Sequence, residues 1–224
     1  MVFTGDSTMT TEHEWGAEFG LTGGIWRHDG NLKRPNVRTT SQKISNGCFN
    51  GDRILADGHL FGLACKALWR IASSHGITGE NLRIVGAAMG GISLSSRIAE
   101  AGMCRSAYAE KSGDKLVFNR FILSPHEKFL LAEDTITTGG TLVKLREAVA
   151  VACSANPTFA GAILALCNRS GKSELDGVPI FSLVSLSFDE WEEGSNPFTE
   201  DGKELVPPIS EPKLNWHEVT RDYS

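Results

Sequence analysis

Two adjacent carboxylates, Glu133 and Asp134, stand between the apolar run FLLA (129–132) and a loop of threonines and glycines, Thr137, Thr138, Gly139, Gly140 and Thr141. An ionised carboxylate only accepts hydrogen bonds, so a pair of them suits neighbouring hydroxyls. Glycines let successive backbone N–H groups turn inward, threonine hydroxyls add donors, and the first turn of a helix adds partial positive charge. Such a loop suits a phosphate. The carboxylates repel that phosphate and must therefore face another part of the same ligand. A phosphate with a diol near it is a ribose 5-phosphate. The competing reading is an ordinary strand, turn and helix with an exposed acidic turn.

The elements that would position this loop follow from hydrophobic periodicity. Residues 57–75 carry helical spacing, with Leu60, Leu63, Ala64, Ala67, Leu68 and Ile71 on one face, Asp57 as a cap and Gly76 as a stop. Short apolar strands are expected at 82–88, 105–110, 115–122, 128–132, 160–167 and 178–186, and helices at 92–102 and 140–154. Strand and helix alternate, which predicts an α/β fold: a parallel sheet with helices on both faces. Ligands bind beyond the carboxyl ends of such strands, where the acid pair would follow directly on the strand at 128–132. Residues 1 to 50 read as irregular and the acidic, proline-bearing tail from Asp189 as extended.

Composition removes several classes of function. At 224 residues the chain suits one α/β domain with a small attachment, and a net charge of −5 leaves no basic footprint for nucleic acid or anionic membrane. No apolar run reaches membrane-spanning length, and the polar start MVFTGDSTMT lacks a signal-like apolar core, so the expected location is cytoplasmic. Five scattered cysteines without a CxxC pair read as free thiols, mostly buried. The six histidines form no HExxH, and Glu12-His13-Glu14 reads as surface. No GxxxxGK[ST] occurs: Gly171-Lys172-Ser173 has Leu166 where the first glycine is needed, and GAAMGG (86–91) is not GxGxxG.

The stretch LLAEDTITTGGT resembles the phosphoribosyl-diphosphate motif of the type I phosphoribosyltransferases. That resemblance implies that Glu133 and Asp134 hold the ribose hydroxyls while Thr135, Thr137, Thr138, Gly139, Gly140 and Thr141 wrap the 5-phosphate. Three further stretches are similar to the orotate branch of the family. VGAAMGGISLS (85–95) matches the diphosphate loop, implying diphosphate contacts from Ala87, Ala88, Met89, Gly90 and Gly91. AYAEK (107–111) matches the strand before a mobile loop, which puts Lys111 on the diphosphate as a catalytic residue, with Lys115 and Arg120 as helpers. ALCNRSGK (165–172) matches a DRSGG-type stretch whose arginine, here Arg169, binds the orotate carboxylate; Asn168 replaces the usual aspartate.

TTSQKISNGCFN (39–50) is similar to the segment that shapes the base pocket, giving Lys43 and Phe49, with Gln42 at the usual glycine and Thr40 where some members carry a lysine. NPFTEDGKELVPP (196–208) resembles the ending of a short-loop subgroup without its cysteines. The implied domain plan is an N-terminal extension at 1–32, a phosphoribosyltransferase domain at 33–208 with a hood segment at 33–56, and a tail at 209–224, the chain ends supplying a small hood. The implied reaction takes orotate and phosphoribosyl diphosphate to orotidine 5-phosphate and diphosphate, with Mg²⁺ carried by substrate oxygens and no metal ligands from the protein. The implied assembly is a homodimer without nucleic acid or membrane partners. The same chemistry on another nucleobase, a non-catalytic phosphoribosyl-diphosphate-binding regulator and a plain sugar-phosphate-binding module stay open. The acidic chain speaks against a DNA-bound regulator.

Overall fold

A computed structural model describes residues 9–154, 156–200 and 205–223. The first eight residues of the expected extension and residues 201–204 of the tail stretch lie outside the described residues. The chain divides into two compact units, one holding 54–186 with the residues before 17, the other 17–53 with 187–224.

The second unit is built from the two ends of the chain. Helix α1 (Glu12–Leu21) leads into β1 (Ile25–Arg27), which pairs antiparallel with β4 (Gly47–Phe49). Strand β3 (Ile44–Ser45) lies between β2 (Val37–Arg38) and β12 (Glu190–Trp191), antiparallel to both. Trp26, Val37, Cys48 and Val219 form a small core, with Ile209 and Trp216 against it, the last opening α6 (Trp216–Thr220). The expectation of irregular ends is corrected here. These strands are two or three residues long, too short for a local period to announce them, and β12 pairs with β3 across about 145 positions, as in Glu190 against Ser45.

The larger unit is organised by a seven-stranded sheet. Its strands are β5 (Leu82–Ala87), β6 (Arg105–Ser112), β7 (Lys115–Val117), β8 (Lys128–Ile136), β9 (Thr158–Asn168), β10 (Glu174–Leu175) and β11 (Val178–Ser185), in the order β10-β11-β9-β8-β5-β6-β7. The five central strands are parallel, whereas β7 and β10 are antiparallel edge pieces. The short helix α2 (Gly51–Ala56) precedes α3 (Gly58–Ser74), whose Asp57 carboxylate accepts the His59 and Leu60 amides as expected of the cap. Its buried face is Leu60, Phe61, Ala64, Cys65, Ala67, Leu68 and Ala72, turned from the expected stripe because Leu63 and Ile71 are only half covered.

Helix α4 (Gly90–Gly102) packs on β5, β6 and β8 together with α3, and α5 (Gly140–Cys153) buries Leu142, Leu145, Ala148 and Val149 against Val85, Ala107, Phe129, Leu131 and Ile163. Two strand expectations change. Strand β8 runs on to Ile136 because its ladder with β9 continues through Glu133–Ala165, Thr135–Cys167 and Ile136–Asn168. Strand β7 stops at Val117, since Asn119 and Arg120 turn back to donate hydrogen bonds to the Glu110 carboxylate. Four of the five cysteines are buried thiols and Cys104 is half-buried; burial pushes the Cys65 thiol up to about 12.

Candidate active site

Glu133 and Asp134 lie inside β8 rather than after it. Successive side chains on a strand point to opposite faces, so two neighbouring carboxylates are sent to two different helices. Leu131 and Phe129 share the face covered by α5, and Glu133 continues that row to accept a hydrogen bond from Thr141 in the first turn of α5. Asp134 goes the other way, to the start of α4: a Cβ placed on Gly90 would sit 2.6 Å from the Asp134 Cγ. Only a residue without a side chain permits that approach.

The two acids differ electrically. Burial, reinforced by the neighbouring Asp134 charge and opposed by the Thr141 hydroxyl, pushes the Glu133 carboxyl up to about 7. The Thr135 hydroxyl points back to the Asp134 carboxylate at 3.5 Å, at the limit of a hydrogen bond.

Neither residue that opens these helices, Met89 before α4 or Gly139 before α5, supplies a side-chain cap. The residue before α5 is Gly139 at φ 84°, a left-handed position. A Cβ placed there would also lie only 3.0 Å from the Leu175 side chain, so glycine serves twice. Thr137 and Thr138 are exposed at the turn, and the Thr138 hydroxyl accepts the Gly140 amide at 3.3 Å. An uncapped first turn leaves backbone N–H groups pointing outward, the usual setting for an anion. The residue before α4 is Met89, which is 81% exposed and follows a cis Ala88–Met89 peptide. Ala87 ends β5 in the core, Ala88 and Gly90 are half covered, and Gly91 is buried against the Gly86 backbone.

Lys111 and Lys115 flank the tip of the β6–β7 hairpin, and both border the cavity that reaches Gly140 and Thr141. Arg120, expected as a diphosphate helper, is instead tied to Glu110 at 2.9 Å. Arg169 follows β9, its amide donating to the Ile136 carbonyl at 2.7 Å, which places it beside the end of β8. The Asn168 departure has a physical account. Its Oδ1 accepts from the Ser170 amide and hydroxyl at 3.0 and 2.7 Å, while its Nδ2 donates to the Lys172 carbonyl at 2.8 Å. An aspartate could make the first two bonds but not the third.

The base-pocket segment belongs to the second unit. Gln42 adopts φ 67°, the backbone region where the usual glycine would be at ease, in a turn closed by the Thr39 amide on the Lys43 carbonyl. Lys43 pairs with Glu192 at 3.5 Å. Phe49 is 1% exposed with its ring against Phe19, so its part is in the packing of that unit. The structure thus gathers Glu133, Asp134, Gly90 and Thr141 around one strand end. Reading by pattern missed Lys144, which borders the same cavity as Lys111 and Lys115; its place four residues into the helix was the available signal.

No protein-family model matches the chain. The orotate phosphoribosyltransferase of Pelotomaculum thermopropionicum is 30% identical over 187 residues, covering 83% of this chain and 94% of that protein. The orotate phosphoribosyltransferase of Desulforamulus reducens is 29% identical over 187 residues with the same coverage. The crystal structure of orotate phosphoribosyltransferase from Aeropyrum pernix aligns with a TM-score of 0.59 at 20% identity, covering 76% of this chain and 92% of that one, a likeness of fold. With 30% identity across almost the whole of a relative, the chain belongs to the orotate phosphoribosyltransferases.

Proposed function

We infer that the chain transfers the 5-phosphoribosyl group from phosphoribosyl diphosphate to orotate, giving orotidine 5-phosphate and diphosphate. Beside the family membership, the observation that carries this reading is the convergence of Glu133 on the start of α5 and of Asp134 on the start of α4. One strand end thereby offers two carboxylates for hydroxyls and two uncapped helix starts for phosphate charge.

In this mechanism a ring nitrogen of orotate gives up its proton to solvent and forms a bond to the anomeric carbon, while the bond from that carbon to the diphosphate oxygen breaks, its electron pair leaving with diphosphate. The sugar passes through an oxocarbenium-like state, so the protein's work is orientation and stabilisation of departing charge. Glu133 and Asp134 hold the ribose hydroxyls. The turn Thr135–Thr141 holds the 5-phosphate, and Ala87–Gly91 with Lys111 and Lys115 receive the diphosphate. Arg169 grips the orotate carboxylate through two parallel N–H donors, while Lys43 and Phe49 belong to the base-side segment.

The donor set fits Mg²⁺ held mainly by substrate. Magnesium commonly rests on one or two carboxylates plus phosphate oxygens, and this strand end offers two carboxylates. When bound it neutralises diphosphate charge, with Glu133 and Asp134 on the ribose hydroxyls beside it. Among the described residues no helix is long and apolar enough to cross a membrane. A cytoplasmic homodimer is part of the same reading and rests on the family resemblance.

A second reading keeps the chemistry and changes the base, favoured by Thr40 and Gln42 at positions where the family pattern differs. The test is donor- and Mg²⁺-dependent loss of orotate absorbance, with uracil, hypoxanthine, adenine and nicotinate followed in parallel by diphosphate release. Orotate consumption is expected. Diphosphate release with another base and silence with orotate would transfer the assignment to that base, and tight donor binding without any turnover would make the chain a regulator.

A further inference from the structure

A cavity of about 400 Å³ lies between the tip of the β6–β7 hairpin and the first turns of α5. Its walls carry Lys111, Lys115 and Lys144 against a single carboxylate, Asp114, and its inner edge is Gly140 and Thr141. Among the described residues none of the three lysines makes an ion pair. The chain as a whole carries a net charge of −5, yet here three lysines and a single aspartate line one cavity. Such a lining offers an anion several charge-assisted donors. Helix geometry adds direction. Lys144 stands four residues after Gly140, hence on the same side of α5, one turn along. The first turn of α5, at Gly140 and Thr141, and the lysine therefore border one volume.

We propose that Lys144 binds the 5-phosphate of phosphoribosyl diphosphate from the first turns of α5, across the cavity from Lys111 and Lys115, which keep the diphosphate of the same donor. The proposal rests on the function inferred above and adds a residue to it that the phosphoribosyl-diphosphate motif does not include. The hairpin becomes the opposite wall of the cavity, and the two ends of one donor tie it to α5.

Calorimetric titration of the full chain separates the possibilities, with ribose 5-phosphate and inorganic diphosphate as probes beside phosphoribosyl diphosphate. Lys144→Met should weaken ribose 5-phosphate and the donor by about tenfold or more, the effect of losing one charge-assisted hydrogen bond. Inorganic diphosphate should bind as before, the KM for orotate should not change, and Lys144→Arg should restore binding. Unchanged ribose 5-phosphate binding in Lys144→Met, with the unmodified chain binding it, would overturn the proposal and leave the function standing. A loss confined to inorganic diphosphate would overturn it as well, by moving Lys144 to the leaving group. Failure of the unmodified chain to bind donor would sink the functional reading itself, and this proposal with it. Circular dichroism and melting of both variants guard against a folding artefact, because a role in stability alone would shift the melting curve without separating the two probes.

Discussion

The starts of α4 and α5 are built alike and behave differently. Each follows a central parallel strand, each lacks a side-chain cap, and each receives one carboxylate of the pair on β8. At α4 the acid, Asp134, lies against the bare Gly90 backbone. At α5 the acid, Glu133, takes a hydroxyl from Thr141, and burial holds its carboxyl near neutrality at about 7. Position on the pleat, not chemistry, separates them. One residue along a strand changes the face, and the face sets which helix the acid meets. The pair therefore combines an acid held against bare backbone with one whose carboxyl burial raises.

The largest effect is expected at Asp134. Asp134→Asn keeps the shape and removes the charge, and turnover should fall about 100-fold or more, as when one preorganised group is taken from a transition state. Steady-state turnover with a matched melting curve would show it, and near-wild-type activity would remove Asp134 from the site. Next comes Gly90→Ala. In an exposed helix this change gains up to about 1 kcal/mol, but here the new methyl meets the Asp134 carboxylate. Turnover should drop about tenfold or more, since small misplacements of catalytic groups are costly, and no gain in melting temperature should appear. A stabilised, fully active variant would mean that Asp134 moves aside freely.

At α5 the difference between the two acids is read through pH. The Glu133 carboxyl is raised in the fold, so between the unfolded value of 4.5 and about 7 the native state holds the proton that the unfolded state has lost. This group's contribution to stability consequently falls as pH rises through that window and is level above it. Glu133→Gln should flatten the melting temperature against pH and melt higher than the parent at pH 8, where 1 kcal/mol corresponds to about 2–4 °C for a chain of this size. Donor affinity should move oppositely in the parent, strengthening through about pH 7 as the carboxylate becomes a full acceptor, and the variant should lose that dependence. A flat affinity profile in the parent would place the titration elsewhere.

The smallest effect is expected at Thr141. Thr141→Val removes the hydroxyl from Glu133, a hydrogen bond of about 1 kcal/mol or roughly fivefold in donor binding. It should also move the affinity midpoint to higher pH, with Thr141→Ser restoring both. An unmoved midpoint would show that the hydroxyl serves only the phosphate.

How much of this was legible depended on distance along the chain. The strand, the acid pair and the Thr/Gly turn form one run from Phe129 to Thr141, and local rules of propensity and donor chemistry reach that far. The second unit was invisible as structure because β3 finds β12 only across the length of the chain. Departures from the family pattern were readable as letters and not as physics. Gln42 stands in a glycine-like backbone conformation, and Asn168 spends an amide that an aspartate lacks on the Lys172 carbonyl.

By itself the sequence determined the alternation of strand and helix, the parallel core, and an acid pair set close before a glycine turn at Gly139. All of these follow from side-chain type and short-range period. Only the tertiary structure decided that β8 runs on beneath the acids, that Asp134 meets Gly90 and Glu133 meets Thr141, and that Lys144 shares a cavity with the hairpin lysines. Those contacts join residues from different elements. Sheet register and helix packing fix them, and neither is written in any one stretch of the chain.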